Sequence, residues 1–236
     1  MSEQKKQMVN ILAIDTATEA CSVALQWKGQ QFECFEECPR EHTKKILPMV
    51  ESILKKANVK LEALDAIAYG QGPGSFTGVR IGVAAAQGLA FGADLPLIGV
   101  STLAAMANRV MRDQLVPVAV AAIDARMGEI YHAIYQQKDG LPVLVDEEKV
   151  IDAALLDEDN SLKGAAVGTG WLTYHEILSG KYPHVLNTVE IKLPHAYDML
   201  DIAQNLYDSK NILRAEQATP VYLRDKVTWK KLPGRE

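Results

Sequence analysis

Two stretches of this chain hold the residue types from which a phosphate-binding site can be built. Asp15-Thr16-Ala17-Thr18 closes the apolar run Val9 to Asp15, and Gly70-Gln71-Gly72-Pro73-Gly74-Ser75-Phe76-Thr77-Gly78-Val79-Arg80 joins the strand-like Ala66 to Tyr69 to a helix of small residues. A carboxylate at a strand end can hold a metal-bound water, and short hydroxyls with backbone N–H groups converging at a helix start can meet an anion. Asp15, Thr16, Gly72, Gly74 and Ser75 are therefore the candidate cofactor-binding residues. A plainer reading stands beside this one. Asp and Thr side chains cap backbone N–H groups in ordinary turns, and glycines with Pro73 can serve only to bring a strand sharply onto a helix. The loop fits no familiar phosphate or nucleophile motif. It has no lysine between Gly70 and Gly92, no GxGxxG register among its glycines, and proline at position 73 where a nucleophile elbow needs glycine.

Other reactive side chains assemble into nothing complete. Cys34, Cys38 and His42 are spaced by four, but Pro39 and the strand period break a common face and no fourth ligand follows, so no metal site is expected. His132, His175, His184 and His195 are scattered singly and read as surface or packed histidines. No Ser, His and acid trio can be built from spacing, and no catalytic residue is assigned. Asp124-Ala125-Arg126-Met127-Gly128-Glu129-Ile130-Tyr131 reads as a charged turn pinned by an Asp and Arg pair.

With 236 residues, 48% of them hydrophobic and 23% charged, the chain can bury an ample core. No apolar run approaches the roughly 18 residues that span a bilayer, and the polar start lacks a signal core, so a cytoplasmic protein with no membrane contact is expected. Three cysteines with no CxxC point to reduced thiols. A net charge of −5 repels a phosphate backbone, so contact with RNA has to be local or borrowed from a partner. The basic tail Arg224, Lys226, Lys230, Lys231 and Arg235 reads as a solvated extension.

The elements that must position these residues follow from periodicity. Val9 to Asp15, Cys21 to Trp27 and Gln31 to Cys38 predict a strand meander. Ile46, Leu47, Val50, Ile53, Leu54 and Ala57 then fall at helical spacing, with Pro48 better suited to a first turn or kink than to an interior. A strand, the glycine loop, a helix to about Gly92, a strand near Leu97 to Val100 and a helix capped by Ser101 complete a first half. The grammar then restarts. Val116 to Asp124 again ends in Ala-Ile-Asp, Ile130 to Gln136 and Leu141 to Asp146 read as strands, and another strand falls near Ala165 to Gly168. The fold class is α/β, of the duplicated actin-like and sugar-kinase-like (ASKHA) type, with fused halves at 1–114 and 115–236 and a reduced second half.

The helix behind the glycine loop carries Gly82 and Gly88 in its interior, each costing about 1 kcal/mol relative to alanine. Gly78, Gly82, Ala85 and Leu89 share one face, and Ala84, Gly88 and Gly92 an adjoining one. Two smooth faces suit close approach by the chain's own sheet on one side and by a partner helix on the other.

The loop Gly72 to Arg80, the opening Ile11-Leu12-Ala13-Ile14-Asp15-Thr16, the segment Asp124 to Tyr131 and the end Pro220-Val221-Tyr222-Leu223-Arg224 together resemble the TsaB (YeaZ) family across nearly the whole chain. The resemblance implies a bacterial protein needed to place threonylcarbamoyl on the adenosine next to the anticodon of tRNAs that read codons starting with A. It implies a non-catalytic scaffold that pairs with and activates TsaD, with TsaE as ATPase, tRNA met only through the complex, and a homodimer when alone. No cofactor is expected to bind this chain tightly; ATP or ADP belongs to the complex. The catalytic relative has a His-x-x-x-His metal pair on its first helix, and Ile46 stands here where the second histidine would follow His42. The family pairs through its first two helices, here about Thr43 to Ala57 and Gly78 to Gly92, which places Leu47, Val50, Leu54, Gly78, Gly82, Ala85 and Leu89 near the interface. The alternatives are an ATP-dependent small-molecule kinase of the same fold, resting on Asp15 and the glycine loop, and a metallopeptidase-like protein.

Overall fold

The computed structural model describes residues 8–186 and 191–224. Its first half opens with β1 (Ile11–Asp15), β2 (Ala20–Trp27) and β3 (Gln30–Glu37), followed by α1 (His42–Lys56), β4 (Ala66–Gly72), α2 (Phe76–Ala93), β5 (Leu97–Ser101) and α3 (Thr102–Gln114). The second half runs β6 (Val118–Arg126), β7 (Glu129–Lys138), β8 (Leu141–Leu144), β9 (Lys149–Asp152), β10 (Gly164–Val167), the short α4 (Gly170–Thr173), α5 (His175–Lys181), β11 (Val185–Leu186) and α6 (Leu200–Asp208). The strands form two sheets, ordered β3-β2-β1-β4-β5 and β11-β10-β6-β7-β8. In each, an antiparallel hairpin is joined to parallel strands at its first strand. The repeated order of elements in the sequence is thus a repeated topology, the duplicated actin-like α/β arrangement.

Both sheets are apolar on both faces, which forces helices onto each side. Leu12, Ile14, Val23 and Leu25 of the first sheet pack under Ile46, Met49, Val50 and Ile53 of α1 and Val79, Val83, Ala86 and Ala90 of α2. Ile11, Ala13, Ala66, Ala68, Ile98 and Val100 fill the other face and lie against Ala105 of α3 and Met199, Leu200 and Ala203 at the start of α6. The rest of α3, with Leu103, Met106, Val110 and Met111, covers the second sheet. The outermost layer is Trp171, Leu178 and Tyr182 on Val120, Ala122 and Ile130. Order across the molecule is helix, sheet, helix, sheet, helix.

Three expectations need correction. The division at 114/115 separates the sheets but not the packing, because the back of the first sheet is covered by residues 196–208, and Leu213 pairs with Leu97 across an isolated bridge. Pro48 lies in the interior of α1 rather than in its first turn. Burial of Ile46, Met49, Val50 and Ile53 around it supplies the packing that holds the helix through the missing donor. Leu141 to Asp146 shortens to Leu141–Leu144, and β9, unread in the sequence, pairs with the remaining length of β7. Of the basic tail, Lys226, Lys230, Lys231 and Arg235 lie outside the described residues.

Candidate functional site

The two phosphate-like motifs meet each other. The Ser75 N–H donates to the Ala17 carbonyl at 2.7 Å, and the Thr16 hydroxyl donates to the Gly78 carbonyl at 2.7 Å. A Cβ added at Gly74 would stand 2.3 Å from the Ala17 carbonyl oxygen, and one at Gly78 would stand 2.3 Å from that of Thr16. Gly72 has φ +102°, and its missing Cβ leaves room for the Val221 carbonyl at 2.9 Å. The glycines are therefore spent on letting the loop lie against the β1–β2 turn, with the Ser75 hydroxyl capping the Gly78 N–H at 3.4 Å. Asp15 and Thr16 are each 1% exposed and Gly72 is buried. Of the five candidate cofactor residues, only Gly74 and Ser75 reach the surface, and the open phosphate cradle drawn from the letters is instead closed by the chain's own hairpin.

Asp15 has an unusual setting. One carboxyl oxygen accepts the Ala17 N–H at 3.0 Å, while Oδ2 is buried without a partner among the described residues. The carboxyl fills the space of a side chain at Gly70, where a Cβ would come within 1.8 Å of Oδ2. Burial pushes its pKa up from 3.8 to about 7, against the smaller lowering effect of the Ala17 N–H. Its counterpart in the second half, Asp124, is held differently: its backbone N–H donates to the Thr169 hydroxyl at 3.1 Å, and its carboxylate binds the Arg126 backbone N–H at 2.8 Å and guanidinium at 3.1 Å. That Asp and Arg pair pins the hairpin. Arg126 also reaches Glu19 of the first half at 3.4 Å, so it bridges the two hairpins. Gly168 and Gly170 press on the Ala122 backbone much as Gly74 presses on Ala17.

The small faces of α2 separate by role. Gly78 and Gly82 turn inward onto Thr16, whose hydroxyl would lie 2.7 Å from a Cβ at Gly82. Gly88 and Gly92 have nothing within 4 Å of a built Cβ and, with Ala84, line the exposed face. Gly78 and Gly82, expected near the partner interface, are buried against Thr16 and serve the fold. Val50 is core as well, 3% exposed, while Leu54, Ala85 and Leu89 are half-buried and Leu47 is 51% exposed. Between α1 and α2 runs an open groove of about 520 Å³, lined by Thr43, Leu47, Phe76, Arg80, Ala84 and Ala85 among others. Phe76 and Phe91, 58% and 83% exposed, stand near the two ends of α2. Phe91 and Phe76 carried no signal at the sequence level, because single aromatics in an otherwise smooth helix read as core.

A strap of residues 219–224 is the other feature that spacing did not reveal. The Val221 N–H donates to the Gln71 carbonyl at 2.8 Å, Arg80 Nε donates to the Tyr222 hydroxyl at 2.7 Å, and Arg224 binds Glu129 and, at 3.1 Å, the Ala125 carbonyl. It ties the glycine loop and α2 to the β6–β7 hairpin of the other half. Elsewhere, Nε2 of His42 lies 2.8 Å from the Thr18 carbonyl, which can only accept, so that nitrogen carries the proton. Ile46 is 2% exposed in the core. Buried Cys21 has its thiol pushed up to about 12 by burial and by neighbouring Cys38, which suits inert packing. His132, stacked on Tyr182, is lowered to about 4 by burial and stays neutral. Among the described residues no group of three or more His, Cys, Asp or Glu side chains is placed to hold a metal ion, and no helix is long and apolar enough to cross a membrane.

Comparison with known proteins completes this picture. The profile of the family "TsaD: tRNA N6-adenosine threonylcarbamoyltransferase" matches residues 36–231. The tRNA threonylcarbamoyladenosine biosynthesis protein TsaB of Escherichia coli is 50% identical over 97% of this chain and 100% of its own length, and that of Haemophilus influenzae is 43% identical over 98% and 100%. The solved structure of YeaZ from Pseudomonas aeruginosa, 42% identical, superimposes with a TM-score of 0.84 over 92% of this chain and all of that one.

Proposed function

The chain belongs to the TsaB (YeaZ) family of tRNA threonylcarbamoyladenosine biosynthesis proteins, and from that premise we propose that it works as a non-catalytic partner of TsaD. The family name places the chain in the making of N6-threonylcarbamoyladenosine in tRNA. Its part in that pathway is to scaffold and activate TsaD, with TsaE joining the complex, tRNA and ATP or ADP met through the assembly, and a second copy covering the same face when the chain is alone.

The observation that carries this reading is the outer side of α1 and α2. Bare backbone at Gly88 and Gly92, a groove beside it and two exposed phenylalanines make an apolar face on which another helix can come close. Chemistry by this chain itself has less to stand on. Asp15 and Thr16 are sealed under the glycine loop, so the kinase alternative lacks a reachable carboxylate, and His42 is committed to Thr18 with Ile46 one turn on, so the metallopeptidase alternative lacks a ligand pair. In a reconstituted system of TsaD, TsaE, the threonylcarbamoyl donor and tRNA, modification is expected to require this chain. Equal modification without it, together with separate elution of this chain and TsaD on a sizing column, overturns the proposal.

A further inference from the structure

The apolar face has a charged end, and its construction indicates what the partner must bring. Arg80 sits on the second turn of α2, where it helps to line the groove. Its guanidinium lies over the Phe76 ring at 3.6 Å from the centroid, and its Nε donates to the Tyr222 hydroxyl. The Tyr222 ring in turn packs on Phe76 at 5.5 Å. Tyr222 is not adrift: the Val221 N–H fixes the strap to Gln71, and Arg224 fixes it to the opposite hairpin. Three exposed side chains are therefore locked into one stack by a segment 142 residues away in sequence. Nε is engaged and one face of the guanidinium is covered, and among the described residues Arg80 forms no ion pair.

We propose that the Arg80, Phe76 and Tyr222 stack is the specificity anchor of this face, and that it takes a carboxylate carried at the end of an apolar helix of the partner. The chemistry is that of a planar fork. Two parallel N–H groups match the two oxygens of Asp or Glu, and a guanidinium already held by an aromatic ring and a hydroxyl loses little freedom on binding. Exposed aromatic and arginine side chains beside a small-residue groove are also the residue types that dominate interface energetics. Charge supports the same occupant: among the described residues the groove around Arg80 is apolar apart from threonine hydroxyls, and none of its lining residues is an acid. Tyr222 is a positioning residue. It acts through Arg80 rather than on the partner's carboxylate.

This inference rests on the pairing with TsaD proposed above, and calorimetric titration of TsaD with wild-type and variant chains at low and high salt separates the two. Arg80→Glu is expected to weaken binding on the order of a hundredfold and Arg80→Lys, which keeps the charge but not the fork, on the order of tenfold. Tyr222→Phe, which keeps the ring and removes only the acceptor, is expected to cost severalfold while keeping the wild type's salt dependence, as Arg80→Lys does and Arg80→Glu does not. Lys55→Glu, a charge change on the exposed last turn of α1, controls for general repulsion, and unchanged melting temperatures control for folding. Wild-type complex formation with all three variants binding alike overturns the anchor and leaves the pairing intact. Absence of any wild-type complex overturns both.

Discussion

The two sides of α2 use the same residue for opposite ends. On the inner side, Gly78 and Gly82 are present because a side chain would collide with Thr16; on the outer side, Gly88 and Gly92 meet nothing at all. Removing a side chain to admit the chain's own hairpin lowers the energy of the fold. Removing one to face solvent only weakens the helix, by about 1 kcal/mol per glycine. Among the described residues that cost is offset only on the inner side, and the proposed docking of a partner helix would offset it on the outer one.

The comparison can be pressed hardest at Asp15, the neighbour of the Thr16 on which the inner side closes. Its folded pKa of about 7 lies above its ordinary 3.8, so the folded chain holds this proton more tightly than the unfolded one. Stability linked to Asp15 is then fully present below pH 4 and is lost as pH rises through 7, by about 4 kcal/mol in all. Thermal melts from pH 5 to 8 should show the wild type losing stability relative to Asp15→Asn, a permanent neutral mimic, with the gap changing up to about pH 7 and constant above it. Parallel curves would mean that the sealed carboxyl is not felt. Gly78→Ala comes next, costing roughly 3 kcal/mol through its clash with the Thr16 carbonyl in denaturant unfolding. Gly88→Ala should move the other way, stabilising the lone chain by about 1 kcal/mol, since the added methyl has open space and better helix propensity. Asp124→Asn, in the second half, should cost about 0.5 kcal/mol by the same measurement, because its Arg126 partner is 73% exposed.

Much of this was legible in the letters. The repeated order of strands, the Ser101 cap and the hairpin pinned by Asp124 and Arg126 came through because each is a local pattern whose physics acts over a few residues. The oddness of α2 was legible too, but not which glycines faced where. Gly78 and Gly82 are inward because of Thr16, 62 residues from Gly78, and helical spacing cannot say which neighbour arrives. The contact between the turn after Asp15 and the glycine loop was hidden for the same reason. The letters left each motif either a ligand site or a purely structural turn, and in the fold the two lie against each other. The strap was present as Pro220-Val221-Tyr222-Leu223-Arg224, yet its reach to Gln71, Arg80 and Glu129 is a property of the assembled halves alone.

The division of α2 into a folding face and a docking face is tested most directly by Gly88→Trp, measured by sedimentation with TsaD and by thermal melting alone. The bulky ring should abolish the mixed complex while leaving the melting temperature within a few degrees of wild type. A complex of undiminished affinity with tryptophan at that position would contradict the docking face.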